Sequence, residues 1–232
     1  MTRLLSTYWQ DFVHLLFPEL CEGCKASLVA GEKLICIQCE TSIAYTNYHS
    51  WTENATSQRI AGRFPFKYAS SLAYFTEDGL IQHFVHLLKY KNKTDIGVLL
   101  GRMMGQAIRS SDWQVDAVIP VPLHPKREAK RGYNQSYFLA LGVAEILKVP
   151  LLNQSLKRVK NTSTQTEKNR IERMENVKDA FVFSPLKEQN IKHLLLVDDV
   201  LTTGATIEAC ALAILQQKQM ELSIMSVAIA SN

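Results

Sequence analysis

Two adjacent carboxylates, Asp198 and Asp199, stand between an apolar run, Leu194 to Val197, and a turn built from Thr202, Thr203, Gly204, Ala205 and Thr206. The apolar run suits a strand buried on both faces of a parallel sheet. Ligands of open α/β sheets bind outside the carboxyl ends of the strands, where these acids are expected to emerge. After the turn, Ile207, Ala211, Ile214 and Leu215 follow helical spacing. Backbone N–H groups of Thr202 to Thr206 and the positive end of that helix can therefore cradle a phosphate, and the threonine hydroxyls add donors without charge. Gly204 permits the tight turn. The carboxylates repel phosphate; they can accept hydrogen bonds from two vicinal hydroxyls, such as those of a ribose, or orient waters on a metal. The combination reads as a phosphosugar site. Strands ending in paired acids also serve other metal or nucleotide chemistry, as in a Walker B strand or a receiver domain. A P-loop and the common dinucleotide fingerprint are excluded, because the chain has neither a Gly-Lys pair nor a Gly-x-Gly.

A second constellation lies near the start: Cys21 and Cys24, then Cys36 and Cys39, two Cys-x-x-Cys pairs. A two-residue gap brings both sulfurs of a pair to one ion, and soft thiolates suit Zn²⁺, so the pattern predicts a closed, structural four-sulfur site. The segment from Leu20 to Tyr45 has too little apolar surface to fold alone, so metal binding would supply its folding energy. Two disulfides or four unrelated thiols are the other readings of the spacing. The fifth cysteine, Cys210, falls among Ile207, Ala211 and Ile214 and reads as a small core residue. His83 and His86 are three apart with no third ligand nearby, so they read as ordinary surface or interface residues.

The acids and the Thr-rich turn resemble the signature of the type I phosphoribosyltransferases. Joined to the paired cysteines, they resemble the ComF family, phosphoribosyltransferase-like proteins linked to bacterial competence and DNA uptake. Further segments fit that pattern: Leu88-Lys89-Tyr90-Lys91; Ile119-Pro120-Val121-Pro122-Leu123 followed by Lys126-Arg127 and Arg131-Gly132-Tyr133-Asn134-Gln135; and Thr164-Gln165-Thr166 before Arg170 and Asn176. The resemblance implies that Asp198 and Asp199 hold the ribose 2′ and 3′ hydroxyls of phosphoribosyl pyrophosphate (PRPP), and that Thr202 to Thr206 hold its 5-phosphate. It implies Mg²⁺ bridging pyrophosphate and ribose oxygens, with Lys126, Arg127 and Arg131 on the pyrophosphate. Displacement at C1 would then transfer the phosphoribosyl group to an acceptor, which no base-reading residues identify, and release pyrophosphate. The loop from Lys157 to Asn176 reads either as a lid over the sugar or as a plain connector. The rival class is a non-catalytic PRPP sensor or an accessory that handles single-stranded DNA, with a partner in the competence machinery.

The fold expected is α/β: a type I phosphoribosyltransferase fold with a mostly parallel sheet flanked by helices, preceded by a small zinc ribbon. Residues 1–17 form an amphipathic helix, 18–46 the ribbon, 47–62 a polar connector and 63–232 the phosphoribosyltransferase-like domain. Strands are expected at Lys67 to Phe75, Val115 to Val121, Leu151 to Leu156, Ala180 to Phe183, the acid-bearing run, and Leu222 to Ala230. Helices are marked by Leu80, Phe84, Leu87 and Leu88, by Ile96, Leu99, Leu100, Met103 and Met104, and by Tyr137, Leu141, Ala144 and Leu147.

With 232 residues, 47% hydrophobic and 21% charged, the composition fits a soluble bacterial cytoplasmic protein. The N-terminal apolar positions, interrupted by Gln10, Asp11 and His14, make neither a signal peptide nor a membrane span. The net charge of +4 is uneven: between Lys126 and Arg173 eleven Lys or Arg face four Asp or Glu, giving +7 there and −3 elsewhere. That local field suits pyrophosphate, or weak, salt-dependent contact with single-stranded DNA; a solvated basic face is the plain alternative.

Overall fold

The computed structural model describes residues 18–159, 180–184, 191–217 and 220–230. The N-terminal helix expected over 1–17, and most of the loop expected over Lys157 to Asn176, lie outside the described residues. The main sheet has the order β1 (Ala69–Phe75), β6 (Glu221–Ala230), β5 (His193–Leu201), β2 (Ala117–Pro120), with every neighbouring pair parallel. Parallel neighbours need crossovers, which the helices supply: α3 (Leu80–Tyr90) and α4 (Thr94–Arg109) after β1, α5 (Pro125–Arg131) and α6 (Gln135–Leu147) after β2, and α7 (Ala205–Leu215) after β5.

Strand β5 explains why both faces must be covered. Leu194 and Leu196 point into one cluster with Ile60, Phe64, Ile207, Ile214 and Ile224, while Leu195 and Val197 point into another with Phe84, Leu88, Leu100, Met104 and Leu139. All four are fully buried, as the unbroken apolar run predicts.

The strand expected over Leu151 to Leu156 divides in two. Leu151 makes a single parallel bridge to Val118, a turn at Asn153 and Gln154 breaks the run, and Leu156 begins β3 (Leu156–Arg158). This strand pairs antiparallel with β4 (Phe181–Phe183), apart from the main sheet.

The helix after β2 is in place, but of its expected markers Tyr137, Leu141, Ala144 and Leu147 only Ala144 is buried. The other buried residues are Gln135, Ser136, Leu139, Ala140, Gly142 and Val143. The helix is apolar almost all round, so periodicity could not choose the face. Close approach to α4 decides it: a methyl on Gly101 would strike the carbonyl of Leu139, and one on Gly142 the carbonyl of Val98.

Residues read as a polar connector are packed structure. A 3₁₀ turn at Tyr48–Ser50 leads to α2 (Ala55–Ile60), whose N-cap Asn54 accepts from Ser57 N–H at 3.0 Å while its amide donates to Ala69 O at 2.9 Å. Thr56, Ser71 and Ser226 form a hydroxyl chain at 2.8 and 2.7 Å running from α2 into the sheet. The polar side chains that suggested solvent exposure instead satisfy one another in the interior.

The cysteine-bearing segment precedes these elements and contains one short helix, α1 (Ile37–Thr41). Its end lies along the outer edge of β1, where Thr46 N–H donates to Leu72 O and Tyr74 N–H to Ala44 O, each at 3.0 Å. Substituting Gly142→Ala should force α4 and α6 apart and cost about 1–3 kcal/mol. Urea unfolding should register this as a lower midpoint with an unchanged slope.

A candidate phosphosugar site and a four-cysteine metal centre

The two acids do not stand at the end of β5 but inside it. Strand β2 stops at Pro120, opposite Val197, while β5 continues to Leu201. Asp198 is therefore the first residue of β5 beyond its β2 neighbour on that side, facing the start of α6 through Ser136. Asp198 Oδ1 accepts from Ser136 Oγ in the first turn of α6 at 3.0 Å, and from Asp199 N–H at 2.9 Å. Burial, reinforced by the negative charge of Asp199, pushes the Asp198 carboxyl up to about 7, against the Ser136 and Lys89 contacts that favour its ionised form. Asp199 Oδ1 accepts from Val200 N–H at 2.6 Å. Its Oδ2 is sealed from solvent and has no hydrogen-bond partner among the described residues, although Lys89 Nζ lies 2.8 Å away as an ion pair. The ammonium is close but poorly directed, so one carboxylate oxygen is charge-paired with its hydrogen-bonding capacity unused.

The Thr-rich turn follows on the same strand. Thr202, Thr203, Ala205 and Thr206 are exposed, and Gly204 is buried at φ +81°, capping α7 with no side chain of its own. A residue other than glycine is strained there, and its Cβ would press to 3.2 Å from Ile60. Arg59 of α2 braces the turn, donating to Thr202 O at 2.7 Å and to Ala230 O at 3.1 Å. Exposed hydroxyls thus stand at the start of an eleven-residue helix, an arrangement able to receive an anion, while Ala205 N–H donates to Thr203 Oγ1 at 3.4 Å.

Lys89 also lines a cavity of about 530 Å³, together with Tyr90, Asn92, Arg127, Lys130, Arg131 and Tyr133. Four cations and no carboxylate line it. Arg127 and Arg131 were expected near a pyrophosphate, and being one helical turn apart on α5 they face it together. Lys126 is not among its lining residues; its N–H donates to the capping ring of His124 at 3.1 Å. Lys130 and Lys89 were not anticipated. Lys89 had a signal, its place in the Leu88-Lys89-Tyr90-Lys91 segment, whereas Ser136 and Arg59 had none. Cys210 is buried as expected, its thiol pushed well up by burial and then by Asp198.

The four early cysteines converge, with all their sulfurs within 4.8 Å of one another. Cys21 and Cys39 sulfurs are 3.6 Å apart and those of Cys24 and Cys36 3.7 Å. A tetrahedron with metal–sulfur bonds of about 2.3 Å has edges of about 3.8 Å, so the cluster fits a structural Zn²⁺. All four are free thiols, not disulfides. N–H groups of Gly23 and Cys36 point at Cys21 Sγ at 3.3 and 3.2 Å, and that of Cys39 at Cys36 Sγ at 3.4 Å, the pattern that supports thiolate ligands. The module docks on α3 through Glu22: its carbonyl accepts from His83 Nε2 at 2.8 Å, and its carboxylate pairs with Lys93 at 2.5 Å. His83 is thus an interface residue.

A parallel sheet covered by helices, with a diacid strand and a hydroxyl-rich loop at its carboxyl edge, is the type I phosphoribosyltransferase architecture. Here it carries an N-terminal four-cysteine module. Among named relatives, "Competence protein F" of Haemophilus influenzae is 31% identical over 210 residues, covering 84% of this chain and 83% of the relative. The chain belongs to that competence protein F (ComF) family. "DNA utilization protein YhgH" of Salmonella typhimurium is 35% identical over 137 residues, 57% of this chain and 60% of that protein. Among solved structures, a glutamine PRPP amidotransferase from B. subtilis complexed with ADP and GMP matches loosely, at TM-score 0.43 and 17% identity over 61% of this chain and 30% of that one. No family model matches. No helix among the described residues is long and apolar enough to cross a membrane.

Cys36→Ser should remove the metal and, with it, much of the protein's solubility; metal analysis of the purified protein should find one zinc per chain in the wild type and none in the variant. For Asp198 the folded-state value is raised, so the folded protein holds the proton more tightly and stability falls as pH rises from about 4 to about 7. Asp198→Asn lacks that dependence. The melting temperature of the wild type minus that of Asp198→Asn should decline across this window and level off above it.

Proposed function

We propose that the site binds PRPP with Mg²⁺ and transfers its phosphoribosyl group to an acceptor, releasing pyrophosphate, in a role tied to DNA uptake. The observation that carries this reading is that the paired carboxylates adjoin both other features: they are contiguous along the chain with the Thr202 to Thr206 turn that opens α7, and Lys89, the ion-pair partner of Asp199, also lines the cationic cavity. Such a set suits a ligand that joins a phosphate, vicinal hydroxyls and a polyanion. The Asp198 and Asp199 carboxylates take the ribose hydroxyls, and the exposed threonines and α7 take the 5-phosphate. Arg127, Lys130 and Arg131 meet the pyrophosphate, of which Lys126 is then not a principal ligand. As the bond from C1 to pyrophosphate breaks and the acceptor bonds to C1, negative charge grows on the leaving group, where these cations stabilise it. Bound Mg²⁺ supplies further neutralisation of that charge. Arg59 holds the turn in place, so the phosphate end is preformed.

The names of the relatives, competence and DNA utilization, favour a second reading in which PRPP binding serves a DNA-handling protein without group transfer. The exposed helix α5, with Lys126, Arg127, Lys130 and Arg131 against Glu128, offers a sequence-independent contact to a phosphate backbone. The seven-charge excess expected from Lys126 to Arg173 lies partly outside the described residues.

Calorimetry with Mg²⁺ and PRPP should show binding that the double substitution Asp198→Asn, Asp199→Asn abolishes while zinc content stays at the wild-type level. Unchanged affinity in that variant refutes the assignment. A labelled single strand titrated at two salt concentrations, with and without PRPP, separates the readings: salt-sensitive binding that PRPP displaces places both ligands in one cleft, and no binding at low salt leaves transfer to a small acceptor.

A further inference from the structure

Lys89 belongs to both halves of the site at once. Its ammonium lies 2.8 Å from Asp199 Oδ2, and the same side chain lines the cationic cavity with Arg127, Lys130 and Arg131. Asp199 Oδ2 is inaccessible to solvent with Lys89 in place, yet accepts no hydrogen bond among the described residues. A sugar hydroxyl can therefore reach that oxygen only if the ammonium withdraws. Asp199 Oδ1 already accepts from Val200 N–H at 2.6 Å, which leaves Oδ2 as the carboxylate oxygen with no hydrogen bond among the described residues.

The surroundings restrict the movement to the side chain. Leu88, the preceding residue, is fully buried, and its carbonyl accepts from Tyr133 Oη. At the other end of α3, His83 Nε2 is bonded to the carbonyl of Glu22 at 2.8 Å. The helix is pinned along its length, while the four-carbon stem of Lys89 can swing from the carboxylate into the adjoining cavity. That swing is unfavourable into an empty cavity already crowded with cations and favourable into one holding an anion, because the ammonium then exchanges one negative partner for another.

We propose that Lys89 is a specificity-determining residue that covers the diol-binding oxygen of Asp199 until an anion in the neighbouring cavity draws it away, so that the site selects phosphosugars carrying a second anionic group. The inference rests on the phosphosugar reading of the site and adds a rule to it: occupancy of the cavity and exposure of the diacid are coupled. Groups facing the diacid from the other elements do not duplicate Lys89. Ser136 of α6 contacts Asp198 alone, Cys210 of α7 is a buried thiol, and Ser226 of β6 is the neutral register partner of Asp198.

The test compares ribose 5-phosphate, pyrophosphate and PRPP by calorimetry on the full chain with Mg²⁺. In the wild type, saturating pyrophosphate should tighten ribose 5-phosphate by roughly ten-fold, within the usual range of coupling between sites. In Lys89→Met the two ligands should bind independently: ribose 5-phosphate binds as tightly without pyrophosphate as with it, PRPP weakens by roughly ten-fold, and the preference for PRPP over ribose 5-phosphate collapses. Lys89→Arg should restore part of the coupling. Lys89→Gln, which keeps a donor for Asp199 and removes the charge, should lose it, and stands in for Lys89→Met if the unpaired carboxylate prevents that variant from folding. A merely structural lysine would weaken both sugars in parallel and leave their ratio unchanged, which overturns the proposal. A wild type that binds ribose 5-phosphate and PRPP without any effect of pyrophosphate overturns it equally. If the wild type binds neither sugar, the phosphosugar reading itself fails and Lys89 falls with it.

Discussion

Two neighbouring carboxylates inside the central parallel sheet set the terms for everything around them. A buried acid beside another acid cannot ionise freely, and an unpartnered ionised one costs several kcal/mol. The structure meets this demand from three directions. Helix α6 begins where Ser136 can donate to Asp198, α3 ends where Lys89 can reach Asp199, and the backbone of β5 itself bonds to each carboxylate. The early stop of β2 fits the same arrangement, since β5 runs on past Pro120 with Asp198 as its next residue. The start of one helix and the end of another thus meet the two acids.

Around that constraint, the remaining parts divide by rigidity. The Thr-rich turn is held by Gly204 and Arg59, the latter bonded to one carbonyl in the turn after β5 and one at the end of β6. Arg131 lies over the ring of Tyr90 and contacts Gln135, so this cavity wall is also braced. Between these two well-held halves lies the Lys89 side chain, which touches both.

Much of this was legible in the residues, and the physical reasons for success and failure are specific. The run Leu194 to Val197 suited a strand covered on both faces, with the acids and the turn after it marking the carboxyl edge of the sheet, and Gly204 with its threonines announced the turn. The cysteine spacing likewise foretold the converging sulfurs. Three features escaped. The face of α6 depends on Gly101 and Gly142 meeting across two helices, a contact that no periodicity within one helix encodes. Residues Asn54, Thr56 and Ser57 looked like solvated connector because their partners, such as Ala69 and Ser71, lie elsewhere in the chain. The division of the segment from Leu151 to Leu156 follows from pairing with β4, a strand some 25 residues away in sequence. In each case the deciding interaction is non-local, whereas the motifs that were readable are contiguous.

The strip from Ala44 to Thr46 has a consequence of its own. It occupies the outer edge of β1, satisfying backbone groups that would otherwise be presented as a template to any extended chain nearby. The cysteine module to which the strip belongs lacks the apolar surface to persist without its ion. With an ion holding that module in place, its loss would uncover a sheet margin at a distance from the acids, and the first symptom would be self-association instead of a change at the acids. The ion's service to the protein would then be colloidal, a limit on how much of this chain stays in solution.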